Sequence, residues 1–184
     1  MKKLLFAFTF FLVIGSLSTT YAQYDKNWAI GFRIGEPLGV NVRKYINEGE
    51  NALDLNIGTY GFIYNKDVKY NGGYYHDGGL MIQGHYLWVG EVFKKEWVHY
   101  YLGFGGQINS RKHYENVTIA GTANPVEVGT SKIALGGSGT AGLEFKLENN
   151  LGIFVDAGLY IEVIPAIFYF NPQVSAGVRI NLVK

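Results

Sequence analysis

The sequence predicts an all-β protein, an antiparallel, up-and-down, eight-stranded transmembrane β-barrel. Three observations carry that reading. A hydrophobic period of two returns in eight separate runs, the connections between them alternate in length, and an export-type leader precedes them all. The period is plainest at 151–162. Leu151, Ile153, Val155, Ala157, Leu159 and Ile161 occupy one set of alternate positions, and Gly152, Phe154, Asp156, Gly158, Tyr160 and Glu162 the other. Successive side chains of a strand point to opposite faces. One face is therefore apolar, and the other mixes charged, small and aromatic groups. Repeated around a closed sheet, this pattern places the apolar face against lipid and the polar face in the interior.

The first 22 residues stand apart from the fold. Lys2 and Lys3 precede the apolar run 4–14, and a polar stretch then ends Thr20-Tyr21-Ala22. Charge, apolar core and small-residue end are the parts of a secretory signal peptide, with cleavage expected before Gln23. The apolar run is too short for a spanning helix, which needs about 20 residues to cross about 30 Å of hydrocarbon. The expected domains are thus a cleaved signal at 1–22 and a barrel at 23–184. The chain has no cysteine, which excludes disulfides and thiolate metal sites. Lys2 and Lys3 are two of the chain's 16 basic residues, and the 14 others are one fewer than its 15 acidic ones, a balance that offers no field for nucleic acid.

The eight runs lie at 27–35, 39–46, 52–62, 78–89, 97–108, 132–147, 151–163 and 172–183. In the first, Trp28, Ile30, Phe32 and Ile34 oppose Ala29, Gly31 and Arg33. In the third, Leu53, Leu55 and Ile57 oppose Asp54 and Asn56. The sixth sets Ile133, Leu135, Ala141, Leu143 and Phe145 against Ser138, Thr140, Glu144 and Lys146. The eighth sets Val174, Ala176, Val178, Ile180 and Leu182 against Gln173, Ser175, Arg179 and Asn181. Many runs reach the 9–11 residues that a tilted strand needs to cross a bilayer.

Loop parity is an independent test. The even-numbered connections, 47–51, 90–96 and 148–150, are short. Of the odd ones, 63–77 and 109–131 are long, 164–171 is intermediate and 36–38 is a tight turn. Outer-membrane barrels have short periplasmic turns and longer outer loops. Closure also leaves no sheet edge with unpaired backbone in lipid. Trp28, Trp88, Tyr100 and Phe104 fall on outward positions suited to interfacial belts. Strict alternation puts Trp97 inward, so a slip or bulge is expected there.

These features together resemble the small outer-membrane barrels of the OmpA/OmpX type: a signal peptide, eight alternating strands and a final Gly177-Val-Arg-Ile-Asn-Leu182. The opening Gly31-Phe-Arg-Ile-Gly-Glu-Pro-Leu-Gly39 and the following Val40-Asn-Val-Arg-Lys-Tyr45 resemble the uncharacterised porin-like barrels of Bacteroidota. The resemblance implies residence in a Gram-negative outer membrane and insertion by the barrel-assembly machinery. Such barrels commonly end on an aromatic residue read by that machinery, whereas this chain ends Leu182-Val-Lys184.

The inward set carries Arg33, Arg43, Lys146 and Arg179 against Asp54, Glu144, Asp156 and Glu162. Buried charges persist when paired and hydrogen-bonded, so a polar network filling a narrow lumen is expected rather than an ion path. Eight strands enclose an interior that side chains nearly fill. Gly137-Ser-Gly-Thr-Ala-Gly142 matches a dinucleotide-binding spacing, but Leu143-Glu-Phe-Lys-Leu147 continues it as a strand where that motif needs a helix. His85 and His99 are expected inward, with Ser138 and Glu144 as their possible partners, but nothing in the spacing specifies a catalytic triad. Tyr70, Tyr74, Tyr75 and His76 cluster in the first long loop. Tyrosines on adaptable loops suit contacts with an extracellular protein or glycan.

The expected function is a structural or surface-interaction role for a monomeric, non-enzymatic barrel in contact with lipid, without cofactor or metal. Two alternatives remain: a barrel enzyme that modifies outer-membrane lipid, and a soluble exported lipocalin-like barrel with apolar residues inside.

Overall fold

The computed structural model describes residues 27–61, 63, 67–70, 73–76, 78–93, 95–117, 126–147 and 150–182. The expected signal peptide lies outside them. The described residues form ten strands: β1 (Trp28–Gly35), β2 (Leu38–Ile46), β3 (Asn51–Tyr60), β4 (Asp67–Tyr70), β5 (Gly73–His76), β6 (Gly79–Val92), β7 (Lys95–Val117), β8 (Val126–Lys146), β9 (Leu151–Ile164) and β10 (Phe170–Leu182). Eight of them close a barrel in the order β1-β2-β3-β6-β7-β8-β9-β10, all antiparallel. Closure comes from the β1–β10 ladder, in which Trp28 stands opposite Leu182 and Gly35 opposite Ser175. β4 and β5 form a hairpin outside this ring, paired to β7 from Gly73 opposite Glu115 to His76 opposite Lys112.

The period of two becomes two surfaces. On β1, Trp28, Ile30, Phe32 and Ile34 are exposed while Arg33 is 5% exposed. On β10, Val174, Val178, Ile180 and Leu182 point out, while Gln173, Ser175, Arg179 and Asn181 are buried. The apolar side chains thus coat the outside and the polar ones fill the lumen, the reverse of a lipocalin-like arrangement. A small cluster of Ala29, Tyr45, Ala52, Leu87 and Tyr101 closes the end of the lumen that carries the short connections. That end is called inner below, and the opposite end outer.

Two differences from the sequence expectation concern the outer end. The stretch 109–131 was expected as a loop, yet β7 runs to Val117 and β8 starts at Val126, paired without interruption from Val98 opposite Phe145 to Val117 opposite Val126. Likewise, Asp67–Tyr70 and Gly73–His76 pair as the strands β4 and β5. Hydrophobic alternation fades on β7 because the outward Ser110, Lys112 and Tyr114 are as polar as the inward Arg111 and His113, and alternation of hydrophobicity signals a strand only where one face is apolar. The slip expected near Trp97 is present. Trp97 is exposed and Val98 buried, with a register shift between Glu91 and Val92 in the β6–β7 ladder. The irregularity turns the tryptophan outward, as bulges commonly re-aim side chains.

One glycine makes room for the lumen's aromatic filling. Gly177 faces inward opposite Phe154, and a Cβ there would run into the Phe154 ring and the Phe32 carbonyl. Gly177→Val is therefore expected to displace Phe154 and to destabilise the barrel by about 1–3 kcal/mol, the usual cost of overpacking. Urea titration of the detergent-folded protein, followed by tryptophan fluorescence, measures this.

Candidate functional site: the lumen and its outer rim

An eight-stranded barrel brings opposite walls within side-chain reach of each other, and long polar residues use that reach here at three levels. In the inner half, Glu144 on β8 accepts hydrogen bonds from Arg43 Nη1 on β2 (3.0 Å), Arg179 Nη1 on β10 (2.7 Å) and the Tyr45 hydroxyl (3.1 Å to each oxygen). Asp54 on β3 takes the Arg43 Nε at 2.6 Å, and Asn41 links Asp54 to Arg179 Nε. The guanidinium of Arg43 lies 4.4 Å from the Tyr101 ring centre, and that of Arg179 lies 4.3 Å from that of Phe154. Two arginines and two carboxylates thus balance in charge, with aromatic faces shielding the cations.

The second level centres on Arg33. Its Nη1 donates to Asn56 Oδ1 and its Nη2 to Asp156 Oδ1, both at 2.7 Å, and its Nε donates to Ser175 Oγ at 3.1 Å. Tyr101 donates its hydroxyl to the other Asp156 oxygen at 2.9 Å. Above it lies a triangle of amides. Gln83 Nε2 donates to Gln107 Oε1 (2.7 Å) and Gln173 Oε1 (2.9 Å), and Gln173 Nε2 donates to Gln107 Oε1 (2.9 Å). These three side chains tie β10 to the neighbouring strands β6 and β7 across the lumen.

The third level lies at the outer end. Arg111 on β7 pairs with Glu162 on β9, both side chains fully buried. Its guanidinium is 5.0 Å from the Tyr75 ring centre and 4.8 Å from that of Tyr169, and His113 packs on Tyr75 at 4.7 Å. Two carboxylates also tie down backbone at the rim. Glu36 accepts from the amides of Gly61 and Ile63, and Glu162 accepts from the amide of Ala166 at 3.0 Å.

The inward residues singled out from sequence therefore do not form one cluster. Arg43, Asp54, Glu144 and Arg179 come together, Arg33 and Asp156 sit beside them, and Glu162 belongs to the outer level. Lys146 lies toward the inner end with its Nζ 3.0 Å from His99 Nε2. Among the loop tyrosines, Tyr75 is buried inside the rim, which corrects its expected role as a surface contact. The alternation of β5 turns it inward against Arg111. Tyr74 is partly exposed and stacks on Tyr114 at 5.2 Å, while Tyr70 and His76 lie on β4 and β5. His85 Nε2 is 2.8 Å from Ser138 Oγ, and His99 stands directly across from Glu144 in the β7–β8 ladder. Gly137–Gly142 lies within β8, so its glycines follow a strand and cradle no phosphate. Among the described residues, no three His, Asp or Glu side chains converge as a metal site requires.

Asn41, Gln83, Gln107 and Arg111 are absent from the charge-based reading, while Asn56 and Gln173 stand on its inward face without an assigned role in the network. Gln83, Gln107 and Gln173 fall on inward positions, so following the alternation through neutral amides finds them. Arg111 falls in the stretch where hydrophobic alternation had faded.

Removing Glu144 leaves two buried guanidinium groups short of a partner. Glu144→Ala is expected to lower folding stability by about 3–5 kcal/mol, as when one member of a buried ion pair is removed. Gln107→Ala, which removes a neutral acceptor, should cost about 1–3 kcal/mol. Urea titration in detergent micelles ranks the two, and equal effects would contradict the ionic cluster's larger role.

Comparison with known proteins bears on the fold. No protein-family model matches the chain, and no curated protein matches it in sequence. Among solved structures, the chain is similar to the N-terminal β-barrel domain of Pseudomonas aeruginosa OprF, with a TM-score of 0.54, 11% identity, and 85% of this chain and 96% of that one covered. It is also similar to Neisserial surface protein A, with a TM-score of 0.51, 14% identity, and 85% and 94% covered. The chain thus has the closed eight-stranded architecture of the small outer-membrane barrels.

Proposed function

We propose that the protein is exported and resides in a Gram-negative outer membrane as a monomeric, occluded barrel with a structural or surface-interaction role. The observation that carries this reading is the filling of the lumen at three successive levels by hydrogen-bonded side chains that join strands not adjacent in the barrel. Salt-bridged and amide-bridged side chains resist displacement by water because every partner left unpaired in the lumen costs free energy. The outward apolar surface supports lipid contact, and the shared architecture supports insertion by the barrel-assembly machinery. The extended β7–β8 sheet and the β4–β5 hairpin carry the rim beyond the barrel wall. There Tyr74 and the other partly exposed rim groups are the contacts available to an extracellular protein or glycan. Reconstituted into planar bilayers, the folded protein is expected to give no sustained single-channel steps. Stable, voltage-independent conductance in the wild-type protein would overturn the occluded reading.

A second reading, a lipid-modifying enzyme, is favoured by one contact, the hydrogen bond between His85 and Ser138. Both side chains are buried inside the wall, away from the outward surface on which lipid would lie, so the structural role is preferred. The double variant His85→Ala/Ser138→Ala is expected to leave outer-membrane lipid composition unchanged, read by mass spectrometry of extracted lipids. A change that follows loss of these two groups in a folded barrel would reinstate the enzyme.

A further inference from the structure

The outer connection between β9 and β10 is unlike its neighbours. By sequence the other two long outer connections are mostly polar, 63–77 rich in Tyr, Asn, Lys, Asp and Gly and 109–131 in Asn, Thr, Ser, Glu and Gly, whereas this one reads Ile164-Pro-Ala-Ile-Phe-Tyr-Phe170. Val163, Ile164, Ile167, Phe168 and Phe170 are all exposed, Ile167 and Phe168 by 70% and 73%. Ile133 and Leu135 on adjoining β8 continue the surface, with Leu135 opposite Ile164. Below, the patch runs without a polar break into the outward positions of β9 and β10, from Phe170 through Pro172, Val174, Ala176, Val178 and Ile180 to Leu182.

The height of this stripe is the telling quantity. At about 3.3 Å per residue and a tilt of about 40°, the 13 residues of β10 rise about 30 Å, against an apolar band of about 25 Å on barrels of this kind. The inner boundary is marked beside Leu182 by its partner Trp28, over whose ring Lys44 Nζ sits at 5.0 Å, a tryptophan–lysine pair suited to the headgroup level. Phe170 and the turn above it therefore overshoot the outer boundary. On β3, by contrast, the apolar outward run is only Leu53, Leu55 and Ile57 before Thr59.

The turn is also built for immersion. Backbone in hydrocarbon must satisfy its polar groups internally. Here the Ala166 amide donates to the Glu162 carboxylate, the Phe168 amide to the Glu162 carbonyl and the Tyr169 amide to the Ala166 carbonyl, while Pro165 has no N–H. Glu162 is held from inside by Arg111. The apolar side chains are thus splayed outward from a turn anchored on the lumen.

We propose that the β9–β10 hairpin end is a lipid-docking element. Ile164, Ile167, Phe168 and Phe170 insert among acyl chains of the outer leaflet, drawing that side of the barrel deeper than the side carrying β3. The inference rests on the membrane reading above. Its occupant is lipid because the patch is continuous with the outward band and shares its composition.

Because the chain lacks cysteine, single-cysteine variants report cleanly. Ile167→Cys, with Phe170→Cys as a second probe should the first fail to fold, is labelled with bimane and reconstituted into phosphatidylcholine vesicles with or without brominated acyl chains. Val155→Cys reports the middle of the band, and Ser131→Cys, an outward polar position on β8, reports water. The proposal expects brominated lipid to quench Ile167→Cys as it quenches Val155→Cys, with aqueous iodide quenching only Ser131→Cys. Iodide quenching at Ile167 with lipid quenching retained at Val155 would overturn the docking element alone. Iodide quenching at Val155 as well would overturn the membrane reading. Protection of Ile167 from both quenchers would mean that protein, such as a second copy, covers the patch, and would equally overturn lipid docking.

Discussion

The narrowness of an eight-stranded barrel is the constraint on which the rest depends. Its interior is only wide enough for side chains to meet across it, so whatever the strands send inward must be mutually complementary. The alternating pattern sends arginines, carboxylates, amides and tyrosines. Glu144 shows the result most clearly, since it gathers donors from β2 and β10 while belonging to β8. Small residues are a second consequence: without Gly177, Phe154 could not occupy the lumen, and Arg179 would lose the ring against which it lies.

Which residues point inward was legible in the sequence, because a period of two needs no knowledge of partners. Arg33, Arg43, Asp54, Glu144, Asp156, Glu162 and Arg179 were all placed on the lumen face by that rule. Their grouping was not legible. Partners such as Arg33 and Asp156 are separated by most of the chain, and only strand order and stagger decide which meet. The outer sheet was illegible for a different reason. Beyond the apolar band, Ser110, Lys112 and Tyr114 on the outside of β7 are no less polar than Arg111 and His113 on the inside, so the alternation that marks a strand disappears. Tyr75 was misjudged with it, because a residue taken as part of a loop has no defined inner face.

The structure divides labour along its axis. The inner half is tied together by charge and aromatic faces, the middle by amides, and the outer end by Arg111, Glu162 and Glu36, which hold the rim to the wall. That last layer links the lumen to the surroundings: the same Glu162 that pairs with Arg111 also shapes the turn that presents Ile167 and Phe168. The filling of the lumen and the shape of the rim are thus two aspects of one set of contacts.

A barrel whose apolar face meets lipid and whose polar face lines the lumen can be released from the membrane only by detergent. The most direct test is to fractionate cells expressing the full chain and run the extracted protein on a gel with and without boiling in detergent. The expected result is a protein recovered with the outer membrane, released only by detergent, whose migration changes on boiling as the closed barrel opens. A freely soluble protein with the same mobility before and after boiling would contradict it.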